Sequence, residues 1–188
     1  MSVRPVDLRG ALIADYPRGR LLSQHQQPLL ALPASALEAL LASSSETAHA
    51  ALVHSLAPAL EAAAREALDG PVRDCGPEDI AYAINAAFAR YGLGHVLFER
   101  HGDLLAARLC DAPGAQPSSA VTTLVGKLVA ALITALTATP VHAQVLAGEP
   151  EPCVVLADPT VCALARTPSA HTLATLAAAV HLPSQVAS

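Results

Sequence analysis

The sequence predicts an α+β fold with a helical N-terminal half, followed by a β-hairpin, a long helix, a second β-hairpin and a short C-terminal helix. Two observations carry this prediction: apolar residues recur at helical spacing in long segments, and pairs of short apolar runs flank glycine- or proline-containing loops. A length of 188 residues suits one domain with a sizeable core. We expect a leader arm over 1–33, a single α+β domain over 34–165, and a C-terminal helix and tail over 166–188.

The composition indicates how this domain packs and which partners it excludes. Hydrophobic residues make up 53% of the chain but aromatic residues only 3%, so its helices are expected to pack through small side chains. The net charge is −5 and no cluster of Lys and Arg occurs, which excludes nucleic acid as a partner. The first ten residues lack a secretion signal, so a cytoplasmic location is expected.

The leader arm is weakly patterned and contains four prolines. Two short apolar pieces, Ala11–Ile13 and Pro28–Leu32, could lie along the domain or a partner, or the arm could be flexible. A short helix is predicted over Ser35–Leu41. A longer helix is predicted from Glu46 to Leu68, with Pro58 expected to kink it or split it in two.

The next segment carries clear start and stop signals. Pro77 in the first turn and Gly92 at the end delimit an amphipathic helix. Two β-competent runs, His95–Arg100 and Leu104–Cys110, then flank a loop with Gly102, which predicts a β-hairpin.

The long helix is predicted from the serine cap at Ser118 or Ser119 to Pro140. Its stretch Ala120–Ala138 contains Gly126, Lys127 and four threonines, which is typical of a buried amphipathic helix rather than a membrane span. The remaining predicted elements are two strands and a helix, over Val141–Leu146, Cys153–Leu156 and Leu173–Val180.

No motif with catalytic or cofactor-binding chemistry is apparent, so the chain is predicted not to be an enzyme. Gly92-Leu93-Gly94 lacks the third glycine of a dinucleotide loop and follows a helix instead of a strand. His49 and His54 are five residues apart, a poor helical spacing for a shared metal ion. We therefore predict no catalytic residues, no metal ligands and no cofactor, and reduced, mostly buried cysteines.

The order of elements nevertheless resembles a known family. The segments YGLGHVLFERHGDLLAARLCDAP and VTTLVGKLVAALITALTATPVHAQVLAGEPEPCVVLA are similar to the first hairpin, long helix and second hairpin of the 4-vinyl-reductase-like small-ligand-binding domains. Those domains share their fold with subunits of the transport protein particle. The resemblance implies a non-enzymatic ligand-binding or adaptor module that dimerises and holds a hydrophobic small molecule.

The chain departs from this family at its zinc site. Many members hold zinc through one cysteine near the start of the long helix and two in the second hairpin. The corresponding positions here fall near Val121 or Thr122, near Ala147 or Gly148, and at Cys153, so only the last is a cysteine. One thiolate cannot hold a structural zinc ion that takes four ligands, and the resemblance therefore implies a zinc-free member.

A second resemblance leads to the alternative function. AINAAFARYGLGHVLFERHGDLLAARLCDAP is also similar to the stretch before and within a hairpin of the small helical component of bacterial cellulose synthase complexes. That family implies a cytoplasmic oligomeric scaffold that organises glucan export and has no catalytic role. In the first hypothesis a ligand pocket is expected between Leu124–Leu136 and the sheet; in the second, Ala-rich helical faces are expected to bind other copies of the chain, forming a homo-oligomer.

Overall fold

A computed structural model describes residues 12–15, 20–23, 28–29 and 32–181. It confirms the α+β class and the predicted order of the main elements. The helices of this part of the chain are α1 to α6, which span Ala34–Ser43, Glu46–Glu66, Pro77–Tyr91, Ala120–Thr137, Pro159–Leu164 and Leu173–His181. A single turn of 3-10 helix, Val72–Asp74, connects α2 to α3.

The described strands form two antiparallel sheets. The smaller sheet contains β1 (Leu12–Asp15), β2 (Arg20–Ser23) and β3 (Pro28–Leu29), in that order. These strands fall within the predicted leader arm; apart from residues 32 and 33, the rest of that arm lies outside the described residues. The larger sheet has the order β4-β5-β7-β6, and its strands are His95–His101, Leu104–Cys110, Cys153–Ala157 and His142–Val145 for β4, β5, β7 and β6.

The two predicted hairpins therefore join into one sheet. β4 pairs with β5 and β6 with β7, as predicted, and the antiparallel pairing of β5 with β7 connects the hairpins. This order leaves β4 and β6 at the two edges. At the β4 edge the side chain of Asn85 hydrogen-bonds to the backbone of Val96, as a neighbouring strand would. Its carboxamide oxygen accepts from the Val96 N–H at 2.7 Å, and its nitrogen donates to the Val96 carbonyl at 2.9 Å.

The inner face of the large sheet carries the main core. α4 lies on this face, α2 and α3 pack on α4, and the cluster includes Phe88, Leu128, Leu132 and Val154, all fully buried. Gly126 permits the close approach of α4 to β7, because a Cβ atom at this position would lie 2.7 Å from Cγ1 of Val154.

The outer face is covered by the C-terminal helices. A second cluster joins Leu104 and Val155 of the sheet to Ala165 and to Leu173 and Leu176 of α6. Along β5, Leu105 and Ala107 face inward while Leu104 and Arg108 face outward, as the alternation of the sequence predicts. Both faces of the sheet thus contribute to the core.

Local signals set most helix boundaries. Ser45 caps α2 and Ser119 caps α4 through their hydroxyl groups, and Gly92 ends α3 in the left-handed conformation at φ +66°. α4 ends at Thr137, where Ala138 is left-handed, instead of continuing to Pro140. Pro58 does not split α2, because apolar residues on both sides of it, such as Leu56 and Leu60, pack into the same core.

α4 meets the length and composition of a membrane span, with a mean hydropathy of 1.8, but 56% of its residues are buried within the domain. It occupies the position predicted for a buried core helix. In the described part of the chain it alone is long and apolar enough for this comparison.

Candidate functional site

A groove of about 740 Å³ lies at the β6 edge of the large sheet. Its walls come from α2 and α4 on one side and from α5 on the other, and β6 contributes residues between them. α4 covers the inner face of the sheet, and α5 contacts β6 and β7 next to the outer cluster. The groove therefore lies at the sheet edge, where the helices on the inner face meet those on the outer face.

Small apolar side chains form most of the groove surface. They come from all four surrounding elements and comprise Ala50, Val53, Ala57, Ala130, Ala131, Val141, Ala143 and Ala163. Alanine leaves the space that a leucine at the same position would fill, and this accounts for the width of the groove between well-packed elements. The size and apolar character are those of small-molecule sites in proteins.

Three charged side chains also line the groove. Lys127 Nζ lies 3.7 Å from Glu46 Oε1, and the Glu46 side chain is 89% exposed, so this pair is weak. Glu61 accepts from Arg65 Nε at 2.8 Å. Arg166 Nε donates to Gln144 Oε1 at 2.7 Å.

The groove lies partly where the pocket was predicted. Lys127, Ala130 and Ala131 belong to the predicted segment Leu124–Leu136, and β6 is part of the sheet. Leu124, Leu128 and Leu132 of the same segment are buried in the core and do not line the groove. The groove also uses α2 and α5, which the prediction did not include.

A second polar arrangement lies on the outer face of the sheet. Arg108 Nε donates to Glu99 Oε1 at 2.9 Å, and its Nη1 donates to Glu149 Oε2 at 3.3 Å. Glu149 Oε1 accepts from the backbone N–H of Leu173 at 2.8 Å, so one guanidinium connects two strands, the loop between β6 and β7, and α6. A hydrogen bond with His101, together with Arg108, lowers the pKa of Glu99 below its usual value despite the opposing effect of burial.

The four cysteines are free thiols, and the pKa of each is raised above its ordinary value. Burial raises the pKa of Cys153 to about 12, with Arg108 opposing the shift, and burial also raises the pKa of Cys162. A thiol that stays protonated at neutral pH is a poor nucleophile and a poor metal ligand.

The positions that correspond to the zinc site of the ligand-binding family are also accounted for. Val121 and Thr122 are buried in the first turn of α4, and Cys153 begins β7. Among the residues that the structure describes, no three His, Cys, Asp or Glu side chains come together in a way that could hold a metal ion.

A smaller cavity of about 300 Å³ lies where α2 leads into α3. Asp74, Cys75, Asp79 and Tyr82 contribute to its lining. Partial burial, Asp79 and Asp74 all raise the pKa of Cys75, so this thiol too is unsuited to nucleophilic chemistry.

The motif Asn85, Gly92, Gly94 and Val96, on which the resemblance to the cellulose synthase component depends, has a structural role. Asn85 holds the backbone of Val96, and Gly92 ends α3. Gly94 has φ +88°, and a Cβ atom there would lie 2.5 Å from Cα of Ala112. The motif thus fixes how α3 turns into β4, and none of these four residues lines the groove.

The contributions of α2 and α5 to the groove were not predicted from the sequence. The alanines near His54 and Lys127 are typical of an ordinary helix surface, and α5 was not predicted at all. The one available signal was the cap Asp158 before Pro159, whose carboxylate accepts from the N–H groups of Thr160 and Val161.

Comparisons with family models, curated proteins and solved structures found no match.

Proposed function

We propose that this chain is a non-enzymatic binding module that holds a hydrophobic small molecule in the groove beside β6. The single observation that carries this proposal is the groove itself: about 740 Å³, with alanine or valine at eight of its sixteen lining positions and polar side chains at several others. Ligand sites commonly combine a concave apolar surface of this size with a small number of polar groups that orient the ligand.

The thiol in the groove is not activated as a nucleophile. Cys162, the thiol that lines the groove, is buried, and burial raises its pKa. The groove therefore offers apolar area and charge without an activated nucleophile among its described residues.

The test is a thermal-shift titration of the full chain with an apolar probe, decanol, followed by native mass spectrometry. A probe that binds the folded state and not the unfolded state stabilises the folded state by about 2.7 kcal/mol when the free probe reaches a hundred times its Kd. Two variants fill the groove, Ala57→Leu from α2 and Ala131→Leu from α4. Each is expected to reduce the shift to that of a buffer blank.

Ala51→Leu is the matched control, because Ala51 lies on the exposed surface of α2 outside the groove lining. It is expected to bind decanol like the native chain. Absence of any shift with the native chain, or an equal shift with the filled variants, would contradict the proposal.

A second candidate function is a homo-oligomeric scaffold of the kind found in cellulose synthase complexes. It is favoured by Leu97, which is 45% exposed on the edge strand β4, and by Leu40 on α1, which is 55% exposed. Large apolar side chains at a sheet edge are candidate contacts between copies of a chain.

Light scattering on the purified chain distinguishes the two candidates. A homodimer that binds decanol fits the ligand module, whereas a larger discrete assembly that Leu97→Ser dissociates fits the scaffold. A monomer would exclude the scaffold.

A further inference from the structure

The cationic and anionic side chains of the groove lie toward opposite ends of it. The hydrogen bonds of Val141, Arg166 and Arg65 indicate this arrangement. The N–H of Val141 donates to Thr134 Oγ1 at 3.0 Å. α4 ends at Thr137, so the chain has already returned past the helix end when it reaches Val141. β6 continues from there while packing on α4, and it therefore runs toward the N-terminal half of the helix.

The rise per residue of a strand and of a helix then places Gln144 level with Lys127 along the groove. Three strand residues, from Val141 to Gln144, advance roughly 10 Å. The same distance corresponds to about seven helical residues, from Thr134 back to Lys127. Because Arg166 donates to Gln144, the side chains of Arg166 and Lys127 lie at the same end of the groove, on opposite walls.

The carboxylate of the groove lies toward the other end. Glu61 is bonded to Arg65, and Nη2 of Arg65 donates to the carbonyl of Ala135 near the C-terminal end of α4 at 2.9 Å. The end with Lys127 and Arg166 is therefore cationic, and Glu46, the carboxylate paired with Lys127, is almost fully exposed.

We propose that the ligand is an anionic amphiphile, a carboxylate on an apolar chain, with its carboxylate between Lys127 and Arg166 and its chain along Ala131 and Ala57. This inference rests on the proposed function and names its ligand class. The two cations supply charge-assisted hydrogen bonds to the carboxylate, and the alanine walls supply the apolar contact for the chain.

Three probes that share one alkyl chain test the inference: decanoate, decanol and decylamine. Isothermal titration of the full chain at neutral pH and low salt is expected to give decanoate an affinity about tenfold higher than that of decanol, as one charge-assisted contact implies. Decylamine, which is protonated at this pH, is expected to bind most weakly.

Two variants remove the cations separately, Lys127→Met and Arg166→Gln. Each is expected to lower the affinity for decanoate toward that for decanol, and the two together to make them equal, while the affinity for decanol stays unchanged. Arg166 is exposed, so its substitution leaves the core intact and keeps the test valid even where Lys127→Met fails to fold. Arg73→Gln is the charge-matched control, because its side chain is 84% exposed and lies outside the groove lining.

The outcomes separate this inference from the function on which it rests. Equal affinities for decanoate and decanol, or a preference for decanoate that survives both substitutions, would overturn the inference that the ligand carries a carboxylate. The proposed function, binding of an apolar molecule in the groove, would stand. Binding of decanoate that Ala131→Leu does not weaken places the anion elsewhere and overturns the inference. Binding of none of the three probes overturns both proposals.

Discussion

The two faces of the large sheet are built in different ways. The inner face packs large aliphatic side chains from α4 against Val96, Leu109 and Val154, in a cluster that also includes residues of α2 and α3. The outer face has a smaller cluster beneath α6, and beside it the ion pairs of Arg108. The inner face therefore supplies most of the apolar burial, whereas the outer face uses charge to hold short elements in place.

This difference also accounts for the position of the groove. The inner layer ends at α2 and α4, the outer layer ends at α5, and β6 is the edge strand between them. Dense packing fills the two clusters of the core, and the groove lies at the edge where the helices of the two faces meet.

The largest expected effect is on the inner face. Leu132→Ala removes a fully buried side chain from α4 and is expected to destabilise the fold by about 2–5 kcal/mol through lost burial and a residual cavity. Urea unfolding followed by circular dichroism measures this loss. Leu40→Ala, at an exposed position, is the control and is expected to change stability by less than about 0.5 kcal/mol.

On the outer face, Arg108→Leu is expected to cost about 1–3 kcal/mol. The Glu149 side chain is only 11% exposed and would lose its guanidinium partner. The same unfolding assay measures the effect, with Arg73→Leu at an exposed pair as the control. A loss as small as that of the control would show that the ion pairs do not hold this face together.

A substitution at the close contact between α4 and the sheet is expected to change stability less. Gly126→Ala places a Cβ atom 2.7 Å from Cγ1 of Val154, and overpacking of this kind costs about 1–3 kcal/mol. The better helix propensity of alanine offsets up to about 1 kcal/mol of this cost. The net loss is expected to disappear when Gly126→Ala is measured in a Val154→Ala background. Stabilisation in the native background would contradict the close contact.

The smallest effect is a pH dependence on the outer face. The folded-state pKa of Glu99 is lowered, so its contribution to stability is present above the unfolded-state value and is lost as pH falls through the folded-state value. Native protein is therefore expected to lose more stability than Glu99→Gln when pH falls from about 6 to about 3. Identical pH profiles would show that the bonds of Glu99 to His101 and Arg108 contribute nothing.

Sequence periodicity predicted the main elements because their signals are local. The apolar stripe of α4, its cap at Ser119 and the left-handed Gly92 after α3 each act within one or two turns of the chain. The two hairpins were predicted for the same reason, since each strand pair is joined by one loop.

Other features depend on contacts between distant segments. Of the two effects expected of Pro58, a kink or a division of α2, the division does not occur: the helix continues from Glu46 to Glu66, and residues before and after the proline share one core. The helix α5 has only six residues and too few turns to show a stripe, so its sequence carries little periodic signal.

The sequence by itself determined the α+β class and the order of the main helices and the two hairpins of the large sheet. Only the tertiary structure decided that the hairpins join through β5 and β7, which leaves β6 at an edge. It also decided that α2 and α5 close the groove beside β6 and the Lys127 side of α4. Periodicity indicates which side of an element is buried, but a groove forms where separate elements fail to meet, and that depends on how they are arranged in space.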